Sequence, residues 1–202
     1  MSAGTVFVVD DDASMRRSLE RLLRSFGYAV EGYASAAALL ERLPATHLAC
    51  LVLDLRMPDI DGLDLQRRLA ARGDDLPIIF VSGHGDVPSS VRAMKAGALD
   101  FLIKPFDETV LRAAVERALD WHAERLASRA SLEALRARFE TLTPREREVC
   151  WEVADGRLNK QVADRLGTSE KTIKVHRARV MGKLGARSVA ELVRIVDRLR
   201  GA

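Results

Sequence analysis

The chain has 202 residues, of which 48% are hydrophobic and 30% are charged. This length suits one or two domains, and this composition excludes disordered and fibrous proteins. No apolar run approaches the roughly 20 residues that a membrane span needs, and residues 1–10 lack the basic start of a signal peptide. Cys50 and Cys150 are too isolated to indicate a disulfide framework or a zinc site. We therefore expect a cytoplasmic protein with two reduced thiols and no membrane partner.

The modest net charge of +3 is the sum of two halves of opposite sign. Residues 1–122 carry 14 Lys and Arg against 18 Asp and Glu, which gives a net charge of −4. Residues 123–202 carry 18 against 11, which gives a net charge of +7. An acidic half followed by a basic half indicates two separate functions, and the basic half is the one suited to a polyanionic partner.

The first half alternates short apolar runs with helical patterns. Five runs predict strands, at residues 6–9, 29–33, 50–53, 78–81 and 101–103. The helical patterns cover residues 13–26, 35–43, 62–72, 86–96 and 107–122. Continuous apolar runs suit strands that are covered on both faces, as in a parallel sheet. The order of the elements predicts an α/β, doubly wound, five-stranded parallel sheet, whose ligands bind at the carboxyl ends of the strands.

The second half is predicted to be entirely helical. From residue 108 a helical pattern continues to about residue 138, a length typical of a connector helix, although a break near Ser128 and Ser131 fits the pattern equally well. A capping box at residues 143–146, with Pro144 at its first helical position, begins the next helix. Further helical patterns cover residues 159–166, 169–184 and 188–199. The chain therefore divides into a first domain over residues 1–122, a helical linker over residues 123–139, and a small all-α domain over residues 140–202.

Polar side chains follow four strands of the predicted sheet. Asp10, Asp11 and Asp12 follow the first strand, Asp54 the third, Ser82 the fourth and Lys104 the fifth. The predicted fold gathers them around one crevice, where crowded carboxylates repel each other unless a cation neutralises them. Their hard oxygen ligands suit Mg²⁺. With the metal bound, an Asp carboxylate can attack a phosphoryl group, while Lys104 offsets phosphoryl charge and Ser82 donates a hydrogen bond.

Three of these residues also have a purely structural interpretation. Asp12 is well placed to cap the first predicted helix, and we favour that role for it. Ser82 with Gly83 is by itself a turn, and Lys104 before a proline by itself ends a strand. The arrival of four such features at four strand ends, in order, argues against coincidence.

Together these motifs resemble the receiver domain of two-component response regulators. The resemblance covers about residues 4–122, and over residues 83–106 it points to the FixJ subfamily. The segments that carry it are Val8-Val9-Asp10-Asp11, Asp54-Leu55-Arg56-Met57-Pro58 with Asp61-Gly62, Ser82-Gly83-His84-Gly85-Asp86-Val87-Pro88, Ala93-Met94-Lys95-Ala96-Gly97-Ala98, and Lys104-Pro105-Phe106.

The resemblance implies that Asp54 accepts phosphate from a sensor histidine kinase. Mg²⁺ would be the cofactor, held directly by Asp11 and Asp54 and by the main-chain carbonyl of Arg56, with Asp10 acting through water. The chain would then not be an enzyme, apart from slow autodephosphorylation.

The resemblance also implies a switch beside the phosphate. Ser82 would be the switch hydroxyl and Lys104 the phosphate partner, with a cis peptide bond before Pro105. Phe101 would be the switch aromatic. Many relatives have Tyr there, so a hydrogen bond from its tip is excluded in this chain, and a role as an ordinary core aromatic is an equal alternative.

The basic half contains a helix-turn-helix pattern. A helix over residues 159–166, a turn with Gly167, and a helix capped by Ser169 have the spacing of the motif whose second helix enters the major groove of DNA. Against one acid, Glu170, the second helix carries five cations, which are Lys171, Lys174, Arg177, Arg179 and Lys183. A charged helix alone is often just a solvated face, but this excess of cations, after a capped turn, favours DNA binding.

Three segments of this half resemble the LuxR-type four-helix DNA-binding domain, over about residues 140–200. They are Leu142-Thr143-Pro144-Arg145-Glu146-Arg147-Glu148-Val149, Asn159-Lys160-Gln161-Val162-Ala163, and Thr172-Ile173-Lys174-Val175-His176-Arg177. The resemblance implies that Lys174, Val175 and Ala178 face base edges, and that Lys160, Thr172, His176 and Lys183 approach phosphates. Ala178 replaces a Lys that is common in relatives, so Arg177 or Arg179 is a candidate for that contact. His176 is equally compatible with a packed histidine.

Together these features predict a response regulator transcription factor. Phosphorylation of Asp54 would reshape the face built from residues 86–106 and the following helix, so that the chain forms a homodimer and binds promoter DNA. RNA polymerase is a further candidate partner.

Two other functions fit single features of the sequence. Asp10 and Asp12 match the Asp-x-Asp nucleophile of haloacid-dehalogenase-type phosphatases, which would leave Asp54 and the basic half unexplained. A LuxR-type activator that senses a small molecule would need an aromatic-lined pocket, and only 5% of the chain is aromatic.

Overall fold

The computed structural model of the chain describes residues 4–43, 47–58, 60–83 and 87–201. Its strands are β1 Thr5–Val9, β2 Ala29–Tyr33, β3 Ala49–Asp54, β4 Ile78–Ser82 and β5 Asp100–Ile103. Its helices are α1 Ala13–Ser25, α2 Ala36–Arg42, α3 Gly62–Arg72, α4 Val87–Lys95, α5 Glu108–Glu140, α6 Pro144–Ala154, α7 Asn159–Leu166, α8 Glu170–Leu184 and α9 Val189–Arg200. The predicted start of α4, at Asp86, lies outside the described residues.

The five strands form one parallel sheet, as the sequence predicts, and the structure gives their order as β2-β1-β3-β4-β5. The chain order reverses at β1, and in open α/β sheets such a reversal leaves a ligand crevice at the carboxyl ends of the strands. Val9 is in register with Leu53, and Asp54 with Val81. The residues that follow β1, β3 and β4 therefore lie together at one edge.

Helices cover both faces of the sheet, which explains the continuous apolar runs. Phe7 and Val9 lie in a core shared with α2, α3 and α4. Val6 and Val8 lie in a second core, shared with α1 and α5. Because successive side chains of a strand point to opposite faces, a strand covered on both faces needs apolar residues at every position.

Helix α5 has 33 residues and runs through Ser128 and Ser131 without interruption. Of the two alternatives that the sequence left open, a continuous or a broken helix, the structure has the continuous one. The chain falls into two compact units, one up to Leu126 and one from Ala127. The finer division into residues 1–122, 123–139 and 140–202 stays a prediction.

The second unit packs α6 to α9 around a core of its own, to which every one of these helices contributes. The predicted capping box begins α6: Thr143 Oγ1 accepts from the Glu146 N–H at 3.3 Å, and Glu146 Oε2 accepts from the Thr143 N–H at 2.9 Å. Cys50 and Cys150 are buried free thiols. Within the described ranges, no helix is long and apolar enough to cross a membrane.

Candidate functional site

Two carboxylates and one ammonium meet at the carboxyl edge of the sheet. Lys104 Nζ donates to Asp10 Oδ2 and to Asp54 Oδ1, at 3.0 Å in each case. The remaining oxygens accept from the main chain, Asp10 Oδ1 from the Asp12 N–H at 2.9 Å and Asp54 Oδ2 from the Arg56 N–H at 2.8 Å. In the sequence Lys104 is 94 positions from Asp10 and 50 from Asp54, so it is the fold that brings these residues together.

The charges of this cluster perturb each other. Burial raises the pKa of Asp10, which is only 2% exposed, and the negative charge of Asp54 adds to that effect, although Lys104 opposes it. Burial disfavours the charge of Lys104, but hydrogen bonds and charges from Asp54 and Asp10 outweigh it and raise the pKa of this ammonium. Two carboxylates against one cation leave the cluster with an excess of negative charge.

The neighbouring acidic residues have separate positions. Asp11 is exposed, directly after Asp10. Asp12 caps α1, since its carboxylate accepts from the N–H groups of Ser14 and Met15 at 2.7 and 3.2 Å. These two hydrogen bonds lower the pKa of Asp12. The structural role favoured for this residue from the sequence is confirmed.

The remaining residues of the predicted switch lie on β4 and β5. Ser82 ends β4, is buried, and accepts from the Lys104 N–H through its carbonyl at 2.8 Å. The peptide bond between Lys104 and Pro105 is cis, as the resemblance implies. Phe101 is partly buried on β5, with its ring centroid 6.1 Å from that of Phe80. Residues 84–86 of the motif after Ser82 lie outside the described residues.

Gly62 belongs to this site, although the sequence indicated no role for it beyond its place in the Asp61-Gly62 motif. A Cβ at this position would come within 2.6 Å of the Asp54 carbonyl oxygen and 2.8 Å of the Phe80 ring. Gly62 therefore allows α3 to start directly against the Asp54 main chain. The motif Asp61-Gly62 was the only signal, with Asp61 capping the helix through its bond to the Asp64 N–H at 2.7 Å.

The donor set at this edge fits Mg²⁺. Mg²⁺ keeps several waters and is held by one or two carboxylates together with phosphate oxygens, so it needs no cage made wholly of protein. Asp10 and Asp54 supply two largely buried carboxylates with surplus negative charge, and the exposed Asp11 directly follows Asp10 in the chain. Of the residues that the structure describes, no three His, Cys, Asp or Glu side chains are already clustered as for a metal.

The helix-turn-helix of the second unit has the predicted form. Helix α7 ends at Gly167, whose φ is +62°, and Ser169 caps α8 by accepting from the Thr172 N–H at 3.1 Å. One face of α8 buries Ile173, Val180 and Leu184 in the core of the unit. The opposite face is exposed and carries Lys171, Lys174, Val175, Ala178 and Arg179, and Lys160 of α7 is exposed as well.

Two cations that were predicted to contact DNA also make contacts within the unit. Lys183 Nζ donates to Glu146 Oε2 at 2.6 Å and to the Thr141 carbonyl at 2.9 Å. Arg177 donates to Asn159 Oδ1 at 3.0 Å. Lys183 joins α8 to the buried cap of α6, and Arg177 joins it to the start of α7. Sequence spacing gave no signal for these contacts, because the three partners are 37, 42 and 18 residues away.

His176 and Thr172 have intermediate exposure on α8. The Nδ1 atom of His176 is buried and has no hydrogen-bond partner among the described residues. Thr172 Oγ1 lies 2.8 Å from Ser169 Oγ. The alternatives for His176, a packed ring or a phosphate contact, stay open.

Models of two protein families match this chain. The response regulator receiver domain matches residues 6–116, and the bacterial regulatory proteins of the luxR family match residues 140–196. The first match covers the parallel sheet with its acidic edge, and the second covers the four-helix unit with its basic helix.

Similar proteins share almost the whole length of the chain. Nodulation protein W of Bradyrhizobium diazoefficiens is 48% identical over 96% of this chain and 86% of its own. The response regulator protein TodT of Pseudomonas putida is 42% identical over 98% of this chain and 87% of its own. The transcriptional regulatory protein FixJ of Rhizobium meliloti is 44% identical over 96% of both chains.

Solved structures of response regulators are also similar to this chain. The response regulator StyR matches with a TM-score of 0.83 and 47% identity, over 97% of this chain and 99% of its own. Full-length FixJ from B. japonicum matches with a TM-score of 0.61 and 42% identity over the whole of both chains. This chain therefore belongs to the response regulators that combine a receiver domain with a LuxR-type DNA-binding domain, and it is a phosphorylation-dependent regulator of transcription.

Proposed function

We propose that Asp54 is the residue that accepts the phosphoryl group from a sensor histidine kinase. The observation that carries this proposal is the sharing of Lys104 by Asp54 and Asp10 at the carboxyl edge of the sheet. Asp54 is the more accessible of the two carboxylates, with 12% of its side chain exposed against 3% for Asp10. It also ends a central strand, where an incoming group can reach it.

In the proposed reaction a carboxylate oxygen of Asp54 attacks the phosphorus of a phosphohistidine on the kinase. An O–P bond forms while the P–N bond breaks, and the electron pair of the broken bond stays on the imidazole nitrogen. Mg²⁺, when held by Asp11, Asp54 and the Arg56 carbonyl with Asp10 acting through water, would neutralise charge on the carboxylates and the phosphoryl oxygens. Lys104 would transfer to the phosphoryl group the hydrogen bond that it donates to Asp54.

The proposed output surface is an exposed apolar face of the receiver domain. Val87, Val91 and Met94 on α4 are 74%, 44% and 46% exposed, and Ile103 on β5 is 55% exposed. Ile103 directly precedes Lys104, and α4 follows the loop after Ser82, so both elements are connected to the phosphate site. We propose that Ser82 and Phe101 respond to the phosphoryl group and that this face, the α4-β5 face, then pairs with a second copy of the chain.

A dimer would present two α8 helices to promoter DNA at half-sites about one helical turn apart. The exposed side chains of α8, with Lys160 of α7, are proposed to make the base and phosphate contacts. Interaction with RNA polymerase stays a prediction.

Phosphorylation of the full chain tests the proposed acceptor. With acetyl phosphate and Mg²⁺, we expect intact-mass spectrometry to show one phosphoryl group on wild type and none on Asp54→Asn. Asp64→Asn, an acid on α3 outside the site, should be labelled like wild type. Label that persists in Asp54→Asn and disappears in Asp10→Asn would instead support the Asp-x-Asp phosphatase alternative.

A charge on the α4-β5 face tests the proposed dimer. Val91→Glu removes an exposed apolar side chain, so it should leave folding and phosphorylation intact while keeping the phosphorylated protein monomeric in sedimentation equilibrium. Ala71→Glu places the same charge on the exposed side of α3 and should dimerise like wild type. Dimerisation of phosphorylated Val91→Glu with wild-type affinity would place the interface elsewhere.

A further inference from the structure

A groove of about 270 Å³ lies in the first unit, at the start of β4 and away from the phosphate site. Gln66 and Leu69 of α3 line it, together with Leu99, which directly precedes β5, and Trp121 of α5. Asp74 and Asp75, in the loop before β4, add two carboxylates. The groove therefore combines apolar and aromatic side chains with a few polar groups, as small-molecule sites do.

Gln66, which lines this groove, has a buried acceptor without a partner among the described residues. The side chain is 3% exposed, and its Nε2 donates to the Ala93 carbonyl of α4 at 3.1 Å. That bond fixes which end of the amide is the oxygen. Gln66 Oε1 is buried and accepts no hydrogen bond from the described residues. A buried acceptor without a hydrogen bond raises the free energy of the folded protein. A ligand N–H that donated to this oxygen would remove that cost, which favours binding.

The charge of the groove favours a cation. Asp74 pairs with Arg72 at 2.9 Å, whereas Asp75 is exposed and makes no ion pair within the described ranges. The described lining residues include no Lys or Arg. Arg125 lies over the Trp121 ring at 4.9 Å but does not line the groove. A ligand with a positive charge would therefore meet Asp75 without a competing cation in the lining.

We propose that this groove binds a small organic cation with a flat apolar body. Its ring would pack against Leu69 and Trp121, an N–H would donate to Gln66 Oε1, and its charge would lie towards Asp75. This site is separate from Asp54, so binding does not depend on phosphorylation.

The probe that we choose is benzamidine, an aromatic ring with a cationic N–H donor. The chain has two Trp, so the Trp151→Phe variant reports on Trp121 alone. In this unphosphorylated, full-length background we expect a saturable change in Trp fluorescence with benzamidine. Neutral benzamide, which has the same shape, should bind more weakly.

Two further substitutions test the assignment of the groove. Asp75→Asn should weaken benzamidine binding roughly two- to five-fold, the scale of a solvent-exposed ion pair. Gln66→Met keeps the size of the side chain but removes the acceptor together with the hydrogen bond to the Ala93 carbonyl, and it should also weaken binding. Asp120→Asn removes an exposed carboxylate next to Trp121 that does not line the groove, and it should leave binding unchanged. A fluorescence response that does not saturate, or that is equal in the Asp75 and Asp120 variants, would overturn the proposal.

Discussion

At the scale of single residues, a few side chains determine what each domain can do. Lys104 holds Asp10 and Asp54 in one cluster with surplus negative charge, which prepares the edge for a divalent cation. Glu146 and Lys183 form the corresponding charged contact in the second unit, where it joins α6 to α8. The two residues in each of these contacts are far apart in the sequence. The sequence therefore predicted that the residues are functional or structural, but it did not predict all of the contacts between them.

Gly62→Ala tests the close approach of α3 to Asp54. The added methyl group would meet the Asp54 carbonyl oxygen and the Phe80 ring, so we expect a loss of about 1–3 kcal/mol in the free energy of unfolding. Urea unfolding followed by circular dichroism measures it. Gly83→Ala is the matched control, because a Cβ there meets nothing within 4 Å, and its stability should stay within about 0.5 kcal/mol of wild type. Equal stability of both variants would contradict this role for Gly62.

Glu146→Gln tests the buried contact between α6 and α8. The hydrogen bond from Lys183 lowers the pKa of Glu146 below its ordinary value of 4.5, and the Thr143 N–H adds to this effect. The ionised side chain therefore stabilises the fold above pH 4.5, and this contribution is lost as the pH falls through the lower folded pKa. We expect Glu146→Gln to destabilise the second unit by about 1–3 kcal/mol near neutral pH, and by less in acid.

The unfolding of the second unit, followed by Trp151 fluorescence, measures this effect in a Trp121→Phe background. Glu148→Gln is the control, since Glu148 forms an exposed pair with Arg145 at 2.7 Å and its loss should cost less than about 1 kcal/mol. A penalty for Glu146→Gln that does not change with pH would argue against the charged contact.

At the scale of elements, α5 and α8 each combine a packed face with an exposed one. Helix α5 buries Leu111, Val115 and Ala118 against the sheet and then continues beyond Leu126, the last residue of the first unit. Helix α8 buries Ile173 and exposes its lysines. The sequence predicted both helices from their apolar spacing. It did not decide whether α5 breaks, because exposed residues around Ser128 give little periodic signal on either side.

His122 on α5 gives the first unit a pH dependence. Burial lowers the pKa of His122 below its ordinary value of 6.5, and the neutral ring accepts from the Ala49 N–H through Nδ1 at 3.0 Å. Stability from the neutral ring is therefore full above pH 6.5 and falls as the pH drops towards the lower folded pKa. We expect the free energy of unfolding of wild type to fall more than that of His122→Gln between about pH 7.5 and 5.5, by up to about 1.4 kcal/mol per pH unit. If urea unfolding gave parallel pH profiles for wild type and His122→Gln, this role of His122 would be contradicted.

Substitutions of exposed lysines on α7 and α8 should have two different effects on DNA binding. Lys160→Ala should weaken binding to all sequences and reduce the salt dependence by about one counterion, as for a phosphate contact. Lys174→Ala should cost about 1–3 kcal/mol on the specific site and relax the preference at one base pair. Titrations on specific and random duplexes at several salt concentrations separate the two effects.

Arg194→Ala on α9 is the control, because it removes the same charge outside α7 and α8. It should change neither the overall affinity nor the sequence preference, and an equal loss of affinity in this variant would indicate attraction by net charge alone.

At the scale of the whole molecule, the sequence predicted the fold class, the family and the order of the elements. It could do so because continuous apolar strands, capped helices and polar strand ends are local patterns. Contacts across the fold could not be predicted from the sequence. The approach of Gly62 to Asp54, the bond from Lys183 to Glu146, and the buried Gln66 oxygen that accepts no bond from the described residues all depend on how the elements pack. The two opposite net charges of the halves now correspond to an acidic strand edge and a basic helix face.

The most direct test of the central claim is the DNA affinity of the full chain with and without phosphorylation. A DNA fragment that the phosphorylated protein selects from its own genome is titrated with wild type and with Asp54→Asn, each with Mg²⁺ and with or without acetyl phosphate. We predict that acetyl phosphate tightens binding by wild type at least about tenfold, a shift of about 1.4 kcal/mol, and leaves Asp54→Asn unchanged. Two results would contradict the control of DNA binding through Asp54. One is an equal change in DNA affinity in both proteins, and the other is no change in wild type that is shown to carry the phosphoryl group.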